Sequence, residues 1–394
     1  MSMEEYYLSE LQKAEGMGLK RSLREISPCS ARTCFLKGVD GECLDFSSNN
    51  YLGIADHPRL KEEAIKWTNK LGTGSKASRL VTGTFPEYEE LERRIAEWKG
   101  TEAAMIIGSG YMANVGAIAA LADRKTVILA DKFNHASLNA GVMLSGARFL
   151  RYAHNSTESL KKLALPYTEE PAQGRKKIII VTDTVFSMDG DIADIKAAAE
   201  CAKKINALLY LDDAHATGVF GKKGEGLATG ESVDIAMGTF SKGMGCYGAY
   251  IACSSVMRDF LLNRCGSFVY TTAPPPSVYG AISASLDLIQ SDEYCVKRKQ
   301  LLKSSRELAE AIRDIGYNTG KTETPIIPII VGESSESLRI AQFLLSKNIL
   351  AIPIRPPTVP KGTARLRVSL NAEHTEEDKN RLLDALKEAS AAGI

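Results

Sequence analysis

Six short runs of apolar and β-branched residues recur through the middle of the chain: AAMIIG (103–108), TVILA (126–130), KIIIVTD (177–183), ALLYLDD (207–213), DIAMGTF (234–240) and GAYIACS (248–254). They read as buried strands. Between several of them the spacing is helical, as in Ile195, Ala198, Ala199, Ala202 and Ile205 ahead of the strand that begins near Ala207. Strand alternating with helix predicts an α/β fold around a mainly parallel sheet. Helix punctuation agrees. Pro86 opens PEYEELERRIAEWKG, acidic residues fill its first turn, Leu91, Ile95 and Trp98 share one face, and Gly100 closes it.

From about residue 281 the pattern changes to long helices around fewer strands, PIIPIIVG (325–332) and ARLRVSL (364–370). A chain of 394 residues suits one large and one smaller domain, since single cores stop growing near roughly 250–300 residues. The expected division is an N-terminal segment (1–45), a large domain (46–280) and a small C-terminal α+β domain (281–394). The last helix starts at Thr375, with Asp378 completing a capping box, and runs through Leu382, Leu383 and Leu386.

Composition excludes several functions. Lys plus Arg (49) nearly balance Asp plus Glu (48), so no global field draws the chain to nucleic acid or an anionic membrane, and the expected partner is a small molecule. The eight cysteines form no Cys-x-x-Cys pair and no Cys/His cluster with zinc spacing, so reduced thiols and no metal are expected. The N-terminus lacks the apolar run of a signal peptide or membrane span, which makes the cytoplasm the expected compartment. No period of 20 to 50 residues signals a repeat architecture.

The chemistry is concentrated in loops after the strands. GTFSKGMGCYG (238–248) sets Lys242 among hydroxyls and glycines, where a backbone can approach a cofactor closely. LYLDDAHATGVFG (209–221) runs a strand into Asp212, Asp213 and His215; acids at the carboxyl end of a parallel strand point into the ligand crevice. Pyridoxal 5′-phosphate (PLP) needs a carboxylate beside its pyridine nitrogen, because the protonated ring is an electron sink. Asp212 is assigned that place and Lys242 the Schiff base, with His215 reaching the ring's phenolic oxygen. As an alternative, the two acids merely cap a helix or turn.

IIGSGYMANVGA (106–117) passes from strand through Gly-Ser-Gly into a helix, whose first amides at Gly110 and Tyr111 suit a phosphate, with Thr239 and Ser241 offering hydroxyls from the other side. An ordinary tight turn would look the same. DKFNHASL (131–138) places His135 where an imidazole can stack on the ring. FSMDGD (186–191) contributes Ser187 toward the phenolic oxygen, unless it is a simple Asp-Gly turn. In IPIRPPTVPKGTARLRVSL (352–370), Arg355, Arg365 and Arg367 are candidates to grip a substrate carboxylate, at least one of them being a structural ion pair instead.

Together GTFSKG, LDDAHATG, FSMDGD, DKFNHAS and the C-terminal arginine strand resemble the α-oxoamine synthases, a family of fold-type I PLP enzymes, over nearly the whole chain from LDFSSNNYLG (44–53) onward. The resemblance implies the aspartate aminotransferase-like fold with a seven-stranded sheet, and assigns Lys242, Asp212, His215, Ser187 and His135 the places given above. It further puts Arg367 and Asn49 at the substrate carboxylate, Arg21 (or Lys20) at the acyl donor, and Thr272 of YTTAPPP on the phosphate of a neighbouring subunit, hence a homodimer. PIRPPTVPKGTARLR and RYAHN (151–155) are most similar to the members that condense L-alanine with a pimeloyl thioester, on coenzyme A or acyl carrier protein. Members that acylate glycine or serine are the nearest rivals; Ser78 stands where the 5-aminolevulinate-forming members tend to have threonine. Lys76 departs from the pattern, in which glycine is common. Two other classes fit less well: a non-catalytic PLP-fold subunit, which would lack Lys242, and a Rossmann dehydrogenase, because GSGYMA (108–113) lacks the third glycine.

Overall fold

A computed structural model describes residues 1–17, 19–168, 177–230 and 233–394. The six apolar runs form strands, and a seventh joins them: β1 (Ala103–Ile107), β2 (Val127–Asp131), β3 (Arg148–Tyr152), β4 (Ile178–Asp183), β5 (Leu208–Asp212), β6 (Ile235–Thr239) and β7 (Ala249–Cys253). They make one sheet in the order β1-β7-β6-β5-β4-β2-β3. Neighbours from β3 to β6 are parallel, whereas β7 runs antiparallel to both β6 and β1. Every residue of β2, β4, β6 and β7 is buried, as expected of strands covered on both faces. β3 escaped the sequence reading because RFLRY lies at the sheet edge, with both arginines exposed.

The helix α1 (Pro86–Lys99) has the expected boundaries, with Gly100 as its left-handed cap. α2 (Gly110–Leu121) and α3 (Ala136–Ser145) follow β1 and β2. Ala113, Ala117, Ile118 and Leu121 of α2 join Leu138 and Val142 of α3 in a core with Ile107, Ile128, Val181, Tyr210, Met237 and Ile251 from the strands. Each large aliphatic side chain buried there contributes about 1.5–3 kcal/mol. Because β2, β4, β5 and β6 are parallel, their carboxyl ends emerge along one edge, which is where α2 and α3 also begin.

Two compact units divide the chain: residues 50–187 with 192–299, and residues 1–49 with 188–191 and 300–394. These boundaries differ from the expected 1–45, 46–280 and 281–394. Helix Pro276–Ile289 packs on helix Pro58–Leu71 and so stays with the large unit. The N-terminal segment joins the smaller unit because strand Glu42–Asp45 pairs in parallel with Ile349–Leu350. That unit also carries a three-stranded antiparallel sheet of Ile326–Gly332, Ala364–Ser369 and Ile352–Ile354, and the final helix, Glu376–Ala391, starts with the Thr375/Asp378 capping box. Among the described residues no helix is long and apolar enough to cross a membrane, and none of the cysteines is paired.

Candidate functional site

At the carboxyl edge of the large sheet lies a cavity of about 260 Å³, lined by Gly110, Tyr111, Asn114, His135, Asp183, Asp212, His215, Thr239, Ser241 and Lys242 among others. Strand alternation separates the two acids of LDDAH. Asp212 lines the cavity, accepting the Ala214 N–H (2.9 Å) and the Asn114 Nδ2 amide (2.7 Å). Asp213 pairs with Lys99 (3.1 Å, both side chains 0 % exposed) and accepts the Thr184 hydroxyl and the Leu227 and Ala228 N–H groups. Only the first acid is therefore available to a ligand.

His215 is buried between two partners: its Nδ1 lies 2.7 Å from the Tyr51 hydroxyl and its Nε2 2.9 Å from Lys242 Nζ. The Lys242 amine thus has an imidazole nitrogen within hydrogen-bond distance. His135 caps α3, accepting the Ser137 N–H at Nδ1 (3.3 Å), with the Ser137 hydroxyl 2.7 Å away; the His135 backbone N–H donates to Asp183 (2.8 Å). Burial of the ring lowers the His135 pKa below the usual imidazole range; Asp212 opposes that shift and Lys242 adds to it. Asp183 is the register partner of Asp212 on adjacent strands, and burial followed by repulsion from Asp212 raises its carboxyl well above the ordinary range. The two acids thus stand side by side on neighbouring strands, and a charge on Asp212 disfavours a second one on Asp183.

At the other end Ser109 caps α2 through the Met112 N–H (3.3 Å), leaving the helix start at Gly110 and Tyr111 facing the cavity. A Cβ at Gly110 would sit 2.5 Å from Thr239 Cγ2, so only glycine lets the helix start approach the end of β6. A flat ring with a basic nitrogen at one edge and an anionic tail at the other matches this donor set: carboxylate, amine, imidazole, then helix amides and hydroxyls. These residues fit PLP.

The remaining candidates are not among the residues that line this cavity. Ser187 follows β4 and Thr272 is exposed beyond helix Gly266–Val269; neither is among the residues lining the cavity. In the smaller unit Arg367 is buried, donating to Asn49 Oδ1 (3.0 Å) and Ser369 Oγ (2.9 Å). Arg365 instead pairs with Asp189 (2.6 Å) and the Met188 carbonyl, so it is the structural arginine of the set. Arg21 donates to Thr358 (3.2 Å) in a groove of about 900 Å³ that Lys20, Arg24 and Arg355 also line. Lys76 is exposed, with φ at +69°, and the Ala77 N–H closes on the Ser75 carbonyl (2.8 Å) in a tight turn of the left-handed kind.

Sequence reasoning missed Tyr51, Asn114 and Asp183. Asp183 ends a strand, the signal that singled out Asp212; Tyr51 and Asn114 carry no local signal.

Known proteins resemble this chain in sequence and fold. The 8-amino-7-oxononanoate synthase of Geobacter sulfurreducens is 42% identical over 381 residues, 96% of each chain. An SPT solved with its PLP internal aldimine superposes with a TM-score of 0.90 at 27% identity, covering 100% of this chain and 99% of that one. The crystal structure of 8-amino-7-oxononanoate synthase from Francisella tularensis has a TM-score of 0.76 at 25% identity, covering 89% and 98%. The sequence pattern of the family "Aminotransferase class I and II" matches residues 41–386, so the chain belongs to this family.

Proposed function

We propose that this chain is a PLP-dependent acyltransferase that condenses L-alanine with a pimeloyl thioester, on coenzyme A or acyl carrier protein, releasing CO2 and the thiol and forming 8-amino-7-oxononanoate for biotin synthesis. The observation that carries the chemistry is the Lys242–His215 contact of 2.9 Å in a cavity that also holds Asp212. The relative from Geobacter sulfurreducens, similar over 96% of each chain, supports the substrates.

Lys242 is the residue to hold PLP covalently, Asp212 to face its ring nitrogen, His135 to cover its face, and Gly110, Tyr111, Thr239 and Ser241 to receive its phosphate. His215 and Ser187 are assigned to its phenolic oxygen. Bound there, PLP supplies an electron sink for charge developing at the amino acid's α-carbon. The Lys242 amine, once free, is placed to carry the α-proton, with His215 Nε2 beside it as the partner that steadies its charge state. Arg367, held by Asn49 and Ser369, is the bidentate site for the amino acid carboxylate. Arg21 is assigned to the acyl donor and Thr272 to the phosphate of a partner subunit in a homodimer that works in the cytoplasm.

A serine palmitoyltransferase-like activity is the second reading, favoured by the structural likeness at a TM-score of 0.90. Pairing alanine, glycine and serine each with acetyl, pimeloyl and palmitoyl thioesters separates the readings. Purified protein should absorb at roughly 420 nm, and borohydride should fix a pyridoxyl group on residue 242. Lys242→Ala should lose the band and more than about a thousandfold in kcat. A colourless wild type with no fixed pyridoxyl group refutes the reading.

A further inference from the structure

Asn114 sits one turn into α2, 1% exposed, with both amide protons and its oxygen engaged. Its Nδ2 donates one proton to Asp212 Oδ2 (2.7 Å) and the other to Ser137 Oγ (2.8 Å), while its Oδ1 accepts the Tyr210 hydroxyl (2.9 Å). The last contact fixes the amide's orientation. Tyr210 is fully buried and a phenol at neutral pH has a proton to give, so the oxygen of Asn114 must face it and the NH2 must face Asp212. Flipped, the amide would set its oxygen against a carboxylate and leave Tyr210 without an acceptor.

Two consequences follow. A buried carboxylate that accepts N–H donors keeps its charge more readily than one that does not. Ser137, which receives an Asn114 proton on its oxygen, has its own hydroxyl proton left for His135 Nδ1, and the Ser137 N–H approaches the same nitrogen. His135 is then neutral with its proton on Nε2. We propose that Asn114 is a positioning residue that acts on the site through two others: it holds Asp212 in the charged form that a protonated ring nitrogen requires, and it sets the tautomer of His135 through Ser137. The cofactor half of this rests on the PLP reading; the tautomer half does not.

The titratable groups around Asp212 are Asp183 on β4, Tyr210 within β5, His135 at the start of α3, and His215 and Lys242 from the loops after β5 and β6. Asn114 itself does not titrate, so replacing it removes no charge from this set.

The test uses Asn114→Leu, which keeps the volume, and Tyr210→Phe, a milder change that frees the amide to rotate. Fluorescence titration with PLP across pH 5–9 reads the first role. The acid limb of binding should move up by about one pH unit in Asn114→Leu, a tenfold change from loss of one charge-assisted hydrogen bond, and by less in Tyr210→Phe. Nitrogen-15 NMR of histidine-labelled protein without cofactor reads the second: wild type should show His135 as the Nε2–H tautomer, and Asn114→Leu a mixture. Melting curves of all three proteins run in parallel. If the acid limb and the tautomer stay put while only the melting temperature falls, Asn114 is structural and the proposal is overturned. If wild type binds no PLP, the cofactor reading fails, and the NMR comparison still decides the proposal.

Discussion

Replacing Lys99 with methionine removes half of an ion pair in which neither member touches solvent. At 3.1 Å from Asp213, and with an effective dielectric of about 20, the attraction is about 5 kcal/mol. Methionine refills most of the volume, so packing changes little. The stranded carboxylate still has Thr184, Leu227 and Ala228 as donors, which keeps the loss short of a bare buried charge. Removing one partner of a buried pair costs about 3–5 kcal/mol. In urea unfolding followed by far-ultraviolet circular dichroism, a slope of about 3 kcal/mol per M turns that into a midpoint lower by about 1–1.7 M.

The pH dependence gives the prediction a second edge. Burial opposes the Lys99 charge, yet Tyr250 and Asp213 hold its proton, so its pKa lies above the ordinary 10.5. A base with a raised folded pKa contributes stability that is fully present below its unfolded value and lost as pH rises through the folded one. The gap between wild type and Lys99→Met should therefore be flat from pH 6 to about 10 and narrow only above about 10.5. A loss under about 1 kcal/mol at neutral pH with an unchanged slope, or a gap that ignores alkali, refutes the reasoning.

Two further outcomes follow from backbone and burial. Lys76 occupies a left-handed conformation that costs an L-residue about 1–2 kcal/mol, while glycine adds about 0.5–1 kcal/mol of unfolded-state entropy; Lys76→Gly should raise stability by about 0.5–1 kcal/mol, and a lower urea midpoint in the variant would contradict this. His374 stacks on Phe46 with centroids 4.3 Å apart, and burial lowers its imidazole to about 4. Its contribution is complete above the unfolded value near 6.5 and is lost as pH falls toward 4, by up to about 3 kcal/mol, so His374→Phe should flatten the stability profile across that window; equal slopes in both proteins would count against it.

The sheet was legible because a strand buried on both faces leaves an uninterrupted apolar run, as in IIIVTD and AYIAC. RFLRY was not, since an edge strand half in solvent admits two arginines and loses the pattern. Nor was the pairing of Glu42–Asp45 with Ile349–Leu350, which joins short segments from opposite ends of the chain. In the site, Lys242, Asp212, His215 and His135 stood out because each follows a strand in an unusual local company, and the structure brings all four to one cavity. Tyr51 and Asn114 gain their importance from partners far along the chain, so no window of sequence contains the reason for them. Asp212 lines the cavity whereas Asp213 turns to the buried Lys99, a separation that shows only in the folded chain.

The reversed strand β7 has a bearing on how the chain is made. It is the last of the seven in sequence yet lies between β1, the first, and β6, and Ala103 finds its partner only when the ribosome has reached Cys253. Until then β1 and β6 each present an open hydrogen-bonding edge made of apolar residues, the kind of surface that recruits other nascent chains. Fragments that stop short of residue 253 should therefore clump, and synthesis of this protein should lean on holdase chaperones until its final strand slides into the gap.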